Sequence, residues 1–286
     1  MLSLLLYELA LVAVVAAGWV AGRWLLKRYR GKNRPEGTPD AGEPEAGSER
    51  LTDTIAFVGG AYGILLGLLL VFAVGHFVDA RQVSKEEAAT AVALFNAVDP
   101  YPASNRDPLR HDLLCYMNSA ATDDWSAARA GNLSGSANTE AYASSVQKKI
   151  EALPQDKDVE ASNHYFVTEE ILDLAKYRQL RLLHAVPEIP PVIWVVLYVS
   201  AFLFVGLTVF HLGRRRWLTR MAVAATTLLL VAIIGALIQL DAPYVGLGTS
   251  LQPVALNSAL ARLRAANPEP ASLWAPCKPL STGQTG

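Results

Sequence analysis

Four stretches of the chain, 2–26, 54–77, 191–212 and 221–240, run for about twenty residues each with almost no charge. A hydrocarbon core of about 30 Å needs that length of helix, and a bilayer offers no hydrogen-bond partners to an unpaired backbone. The pattern therefore predicts four transmembrane helices. Between the second and third lies a segment, 78–190, whose apolar residues recur at helical rather than strand spacing. The fold class predicted is an all-α membrane protein: four transmembrane helices, with an all-helical extracytoplasmic domain between helices 2 and 3.

The second stretch has no stop at Phe77. It continues D-A-R-Q-V-S-K-E-E-A-A-T-A-V-A-L-F-N-A-V without Pro or Gly as far as Asp99-Pro100, so one continuous helix should project from the membrane. Further helices are expected from near Asp107-Pro108, over 139–153, and over 168–185, with A-R-A-G-N-L-S-G-S-A-N as a loop. The remaining segments are a basic flank ending the first portion (1–30), a Pro-, Gly- and charge-rich linker (31–53) expected to be disordered, a basic loop (213–220) and a tail (241–286).

Charge decides the orientation. Lys27, Arg28, Arg30, Lys32 and Arg34 follow the first span, and Arg214, Arg215, Arg216 and Arg220 fill the loop between the third and fourth. Cytoplasmic connections carry such an excess, so both lie inside the cell, while the two termini and 78–190 lie outside the bacterial cytoplasmic (inner) membrane. The cations after the first span, whose start carries no Lys or Arg and only Glu8, read as a retained anchor rather than a cleaved signal. Segment 78–190 carries 17 acidic against 11 basic residues, which keeps an outer surface soluble. An overall charge of −1 gives no electrostatic footprint for nucleic acid. The two cysteines, Cys115 and Cys277, both fall on the outer side, where an oxidising compartment would let them bridge; two free thiols are the alternative.

Several pieces in order resemble the bestrophin-like domain family of bacterial membrane proteins. They are F-V-D-A-R-Q-V-S-K-E-E-A, L-R-H-D-L-L-C-Y, D-D-W, Y-R-Q-L-R-L-L, P-P-V-I-W-V-V-L, L-D-A-P-Y-V-G and Pro253. The resemblance spans nearly the whole chain and implies a channel-like protein. It departs at Ala242, where such proteins often carry a basic residue, which weighs against anion binding at that junction.

Two groups of residues on the second span carry the functional expectations. Gly59, Gly63, Gly67 and Gly75, with Val71 completing the row, let another helix approach closely, in this chain or another. Ala61, Leu65, Leu68, Phe72 and His76 form the candidate pore-lining stripe, able to gate by dewetting in an oligomer; a lipid- or core-facing stripe is the plainer reading. At the exit of the fourth span Asp241, Pro243, Tyr244 and Gly246 form a junction expected to dock the tail, with Arg178 or Arg181 as partner to the carboxylate. Trp194, Tyr198, Trp24, Tyr29 and Trp217 read as interfacial aromatic anchors.

Catalytic chemistry finds no motif. The five histidines show no metal-ligand spacing, and no nucleotide fingerprint or nucleophile elbow occurs. No enzyme activity, cofactor or metal is expected. The partners expected are the lipid bilayer and either further copies of the chain, as a homo-oligomer, or a membrane-protein partner. The function expected is an oligomeric passive ion channel; the competing class is a non-conducting scaffold or accessory subunit whose outer domain binds a partner protein.

Overall fold

The computed structural model describes residues 2–32, 44–155, 158–212, 217–245 and 250–280. These residues form helices and no strand. In chain order they are α1 (Leu2–Lys32), α2 (Pro44–Ala97), α3 (Ala103–Ser119), a five-residue π-helical turn (Ala120–Asp124), α4 (Trp125–Arg129), α5 (Ala137–Glu151), α6 (Asp158–Leu183), α7 (Pro191–Leu212), α8 (Trp217–Asp241), α9 (Val254–Ala266) and a 3-10 turn (Ala271–Trp274). The chain divides into two compact units, Met1–Gly75 with Glu188–Asp241, and His76–Pro187 with Ala242–Gly286.

The first unit holds the apolar helices. Among the described residues, three helical segments are long and apolar enough to cross a bilayer, Thr52–Ala97, Pro191–Phe210 and Val223–Asp241, and α1 adds the apolar stretch Val12–Leu25. Helices gain no hydrophobic drive from lipid, so close backbone packing must hold them. That packing is found between α1 and α7. A Cβ on Gly22 would lie 2.7 Å from the Gly206 carbonyl oxygen, and one on Gly18 would lie 3.0 Å from that of Phe202. This pair, Gly18 and Gly22, is a small-residue motif packed within the chain, on a helix where no such row was expected. Against α2, Gly59 packs on Phe204, and the Tyr62 hydroxyl donates to the Leu197 carbonyl at 3.2 Å. Trp194, expected at an interface, is buried here with Leu197, Ala201 and Ile234.

The second unit has the larger core, in which Phe95, Leu109, Leu113, Met117, Trp125, Ile150, Leu174 and Leu256 are buried together. Its helices differ from the predicted ones at their starts. α3 begins at Ala103, and Pro108 lies inside it, because Pro102 already supplies the first acceptor, bonding the N–H groups of Asn105 and Arg106 at 2.9 Å. α6 begins ten residues before Thr168, whose hydroxyl bonds back to the His164 carbonyl at 2.8 Å instead of capping. The linker at 31–53, expected to be disordered, is helical at 31–32 and from Pro44 onward; 33–43 lie outside the described residues. Proline is well suited to a first helical position, and E-A-G-S-E-R-L-T after it contains mostly helix formers, so local propensity prevails over the Pro-, Gly- and charge-rich composition.

Cys115 and Cys277 are bonded in a disulfide, their Cα atoms 5.5 Å apart. It ties the tail to α3. The same strap is fixed by the Tyr142 hydroxyl on the Lys278 carbonyl, by His111 Nδ1 at 3.1 Å from the Leu273 carbonyl, and by buried Leu256, Ala259 and Leu263 of α9.

Replacing Gly22 by Ala tests the α1–α7 contact. Alanine is the better helix former by about 1 kcal/mol, yet the methyl group meets backbone, so unfolding in detergent should show a loss of about 1–3 kcal/mol. Gly235→Ala, whose Cβ meets nothing within 4 Å, should show no loss.

Candidate functional site

Two features stand out: a buried ionic network in the second unit, and an uncovered face on α2.

The network is built by four segments. α2 supplies Glu87, α3 supplies Tyr116, the π-helical turn supplies Asp124, and α6 supplies Arg178 and Arg181 one turn apart. Glu87, Asp124 and Arg181 are fully buried and Arg178 nearly so. The Arg181 guanidinium forks over Glu87, donating from Nε and Nη2, and Nη2 also reaches Asp124 at 3.1 Å. Arg178 Nε donates to Asp124 at 2.8 Å, while its Nη1 reaches Glu140. The Tyr116 hydroxyl donates to Glu87 at 2.7 Å, and the Ser136 N–H donates to Asp124 at 2.6 Å. The Arg181 guanidinium lies over the Trp125 ring, and Tyr244 meets the same ring edge-on at 5.1 Å. Buried charges persist only when paired and hydrogen-bonded like this.

Local backbone makes the geometry possible. The π-helical turn places Asp124 toward α6 in a run of otherwise regular helix. Gly135 follows at φ +68°, and a Cβ there would sit 2.8 Å from Asp124 Oδ1 and 3.0 Å from Arg178 Nη2. Glycine is required on both counts.

Electrostatics follow from the pairing. Burial raises the Asp124 carboxyl, but the guanidinium groups of Arg178 and Arg181 and the Ser136 N–H outweigh it and hold it below the usual carboxylate range. Burial, then the neighbouring Glu87, pushes the Tyr116 phenol well up, so it stays a donor.

These arginines were the expected partners of Asp241. The structure gives them to Glu87, Asp124 and Glu140 instead. Asp241 Oδ1 accepts from the backbone N–H groups of Glu188 and Ile189, both at 3.0 Å, just before α7. Two amide donors offset the unfavourable end of the α8 dipole, as an arginine would have. Pro243 accepts from the Leu251 N–H at 2.8 Å and Tyr244 is fully buried, so both fix the start of the tail; Gly246 lies outside the described residues. Arg214, Arg215, Arg216 and the side chain of Glu8 lie outside them too.

The second feature is the face of α2. Its most apolar window is only 11% buried, against 28% for the corresponding windows of α7 and α8. A Cβ at Gly60, Gly63, Gly67 or Gly75 would meet nothing within 4 Å. Around them stand Ile64, Leu68 (67% exposed), Val71 (73%) and Phe72 (49%). Of the candidate pore-lining stripe, Ala61, Leu68 and Phe72 are exposed and Leu65 is half-buried, but His76 turns into the second unit. Of the four helix-packing glycines, Gly59 meets Phe204, and among the described residues nothing lies within 4 Å of a Cβ at Gly63, Gly67 or Gly75.

The fold and these features define an all-helical protein with bilayer-length apolar helices. The Bestrophin-like domain family matches residues 13–255, and the chain belongs to it. A bestrophin homolog from the bacterium Klebsiella pneumoniae is similar in structure, with a TM-score of 0.65 at 14% identity over 90% of this chain and 97% of that one. A point-mutated form of it gives 0.67 at 13% identity over 91% and 99%, and a mutated chain described only as a membrane protein gives 0.66 at 15% over 90% and 97%. These likenesses are of fold. No curated protein matches the chain.

The depressed Asp124 carboxyl sets an acid window. Its contribution to stability is complete above its ordinary value of 3.8 and is lost as pH falls through the lower folded value. Unfolding followed against pH should show that loss below about pH 4. Asp124→Asn should cost about 3–5 kcal/mol at neutral pH, by leaving Arg178 with only the exposed Glu140 and Arg181 with Glu87 alone, and should weaken the acid dependence.

Proposed function

We propose that the protein is an oligomeric, passive ion-conducting protein of the bacterial cytoplasmic membrane. Four helices, α1, the apolar part of α2, α7 and α8, cross the bilayer in this reading. α1 supports it by its 31 residues, about 46 Å of helix at 1.5 Å per residue. Both termini and the second unit then lie outside the cytoplasm, as the arginine and lysine bias demands. The disulfide agrees, since such bonds persist on the oxidising side.

The observation that carries the proposal is the uncovered, glycine-bearing face of α2. A face with small residues in this row lets a helix of another copy approach closely. Copies arranged about an axis would turn Leu68 and Phe72 toward a shared path, with Ala61 and Leu65 beside them. Apolar rings of this kind gate by dewetting. His76, engaged within its own unit, belongs at the outer end of that path rather than in its lining. Membership in the Bestrophin-like family fits this reading.

Purified protein should run as a homo-oligomer in native mass spectrometry and pass ions in proteoliposomes. Leu68→Ser and Phe72→Ser should raise the flux severalfold with assembly unchanged, whereas Gly67→Leu should dissociate the oligomer. A strict monomer without flux overturns the proposal and favours a non-conducting accessory subunit.

Orientation has a separate check. Protease added to intact spheroplasts should cut near Gly131; protection there, with cleavage only after lysis, inverts the topology.

A further inference from the structure

Two imidazoles separated by 108 positions in the sequence face each other in the second unit. His76 Nδ1 and His184 Nδ1 are 3.5 Å apart, with ring centroids 5.2 Å apart and planes inclined at 52°. His76, 5% exposed, is the first residue of the unit, on α2. His184 follows the last turn of α6, its backbone N–H still bonded to the Leu180 carbonyl at 3.0 Å. Buried Leu182 and Ala185 on either side anchor that turn, and His184 itself is half-buried, so solvent reaches the pair.

Like atoms in contact impose a condition. A neutral imidazole has one donor and one acceptor nitrogen, so a direct bond needs the two rings in opposite tautomers. A shared cation removes the condition, because each ring then offers a lone pair. Tetrahedral zinc binds imidazole nitrogen at about 2.0–2.1 Å, which places two such ligands about 3.3–3.4 Å apart. The observed 3.5 Å is within a small side-chain adjustment of that spacing.

We propose that His76 and His184 form a two-imidazole binding site for a divalent transition-metal ion of the Zn²⁺, Ni²⁺ or Cu²⁺ class, with water completing the coordination. Imidazole suits these ions, whereas Mg²⁺ and Ca²⁺ want oxygen ligands. Among the described residues no group of three or more His, Cys, Asp or Glu side chains is placed to hold a metal, so this is a two-ligand site, weaker than a four-ligand structural zinc. A bound ion would cross-link the outward continuation of α2 to the end of α6. The site goes beyond the conduction proposal and does not require it.

The test uses the full-length, tag-free protein in detergent, stripped with EDTA and titrated calorimetrically with ZnCl₂, with MgCl₂ as control. One Zn²⁺ per chain should bind and Mg²⁺ should not compete. His76→Ala and His184→Ala should each lower the affinity at least about tenfold, while His111→Ala and His164→Ala leave it unchanged. X-ray absorption at the zinc edge of the wild-type complex should show two imidazole ligands, a readout that needs no variant to fold. Absence of zinc binding, fewer than two imidazoles, or wild-type affinity in folded His76→Ala or His184→Ala overturns the proposal.

Discussion

The pairing of Arg181 with Glu87 and Asp124 is the constraint around which the second unit is arranged. None of the three side chains reaches solvent, so none can be left alone without a cost of several kcal/mol, roughly 3–5 for a broken buried pair. Satisfying them fixes the rotation of α2 beyond the apolar segment, the register of α6, and the bend that presents Asp124. Arg178, one turn earlier on α6, repeats the device and adds Glu140 of α5. An ion network of this kind stabilises less than a well-packed apolar core would, but it tolerates few alternative arrangements. Trp125 and Tyr244 close it from the tail side with aromatic contacts.

α2 has two environments along one helix. Its first portion carries an apolar, glycine-bearing face that the described residues leave uncovered; its continuation beyond Gly75 carries Glu87 and is packed into a core with Ala88, Ala91, Leu94 and Phe95. The disulfide and the buried α9 residues play the matching part for the tail, beside the hydrogen bonds of Tyr142 to Lys278 and His111 to Leu273.

Small residues illustrate how packing chooses among equivalent sequence signals. Glycines four apart occur in α1 and in α2, and nothing in either segment says which row is used internally. Gly18 and Gly22 meet the backbone of α7, while a Cβ at Gly63, Gly67 or Gly75 meets nothing within 4 Å among the described residues. The difference lies in the partner: Gly206 on α7 opposes Gly22 and permits the approach.

Hydropathy and charge alone established the apolar segments, the helical class and the continuous run from the second apolar stretch to about Asp99, while the family resemblance rested on short residue pieces in order along the chain. These depend on local properties, since each helix must satisfy its own backbone and each apolar run must leave water. Helix starts were less legible, because Pro102 and Pro44 can begin a helix as readily as end one. The partners of Arg178, Arg181 and Asp241, the closure of Cys115 on Cys277, and the meeting of His76 with His184 were decided only in three dimensions. A charged or ligating side chain carries no mark of its partner, and residues more than fifty positions apart become neighbours only when the helices that bear them pack.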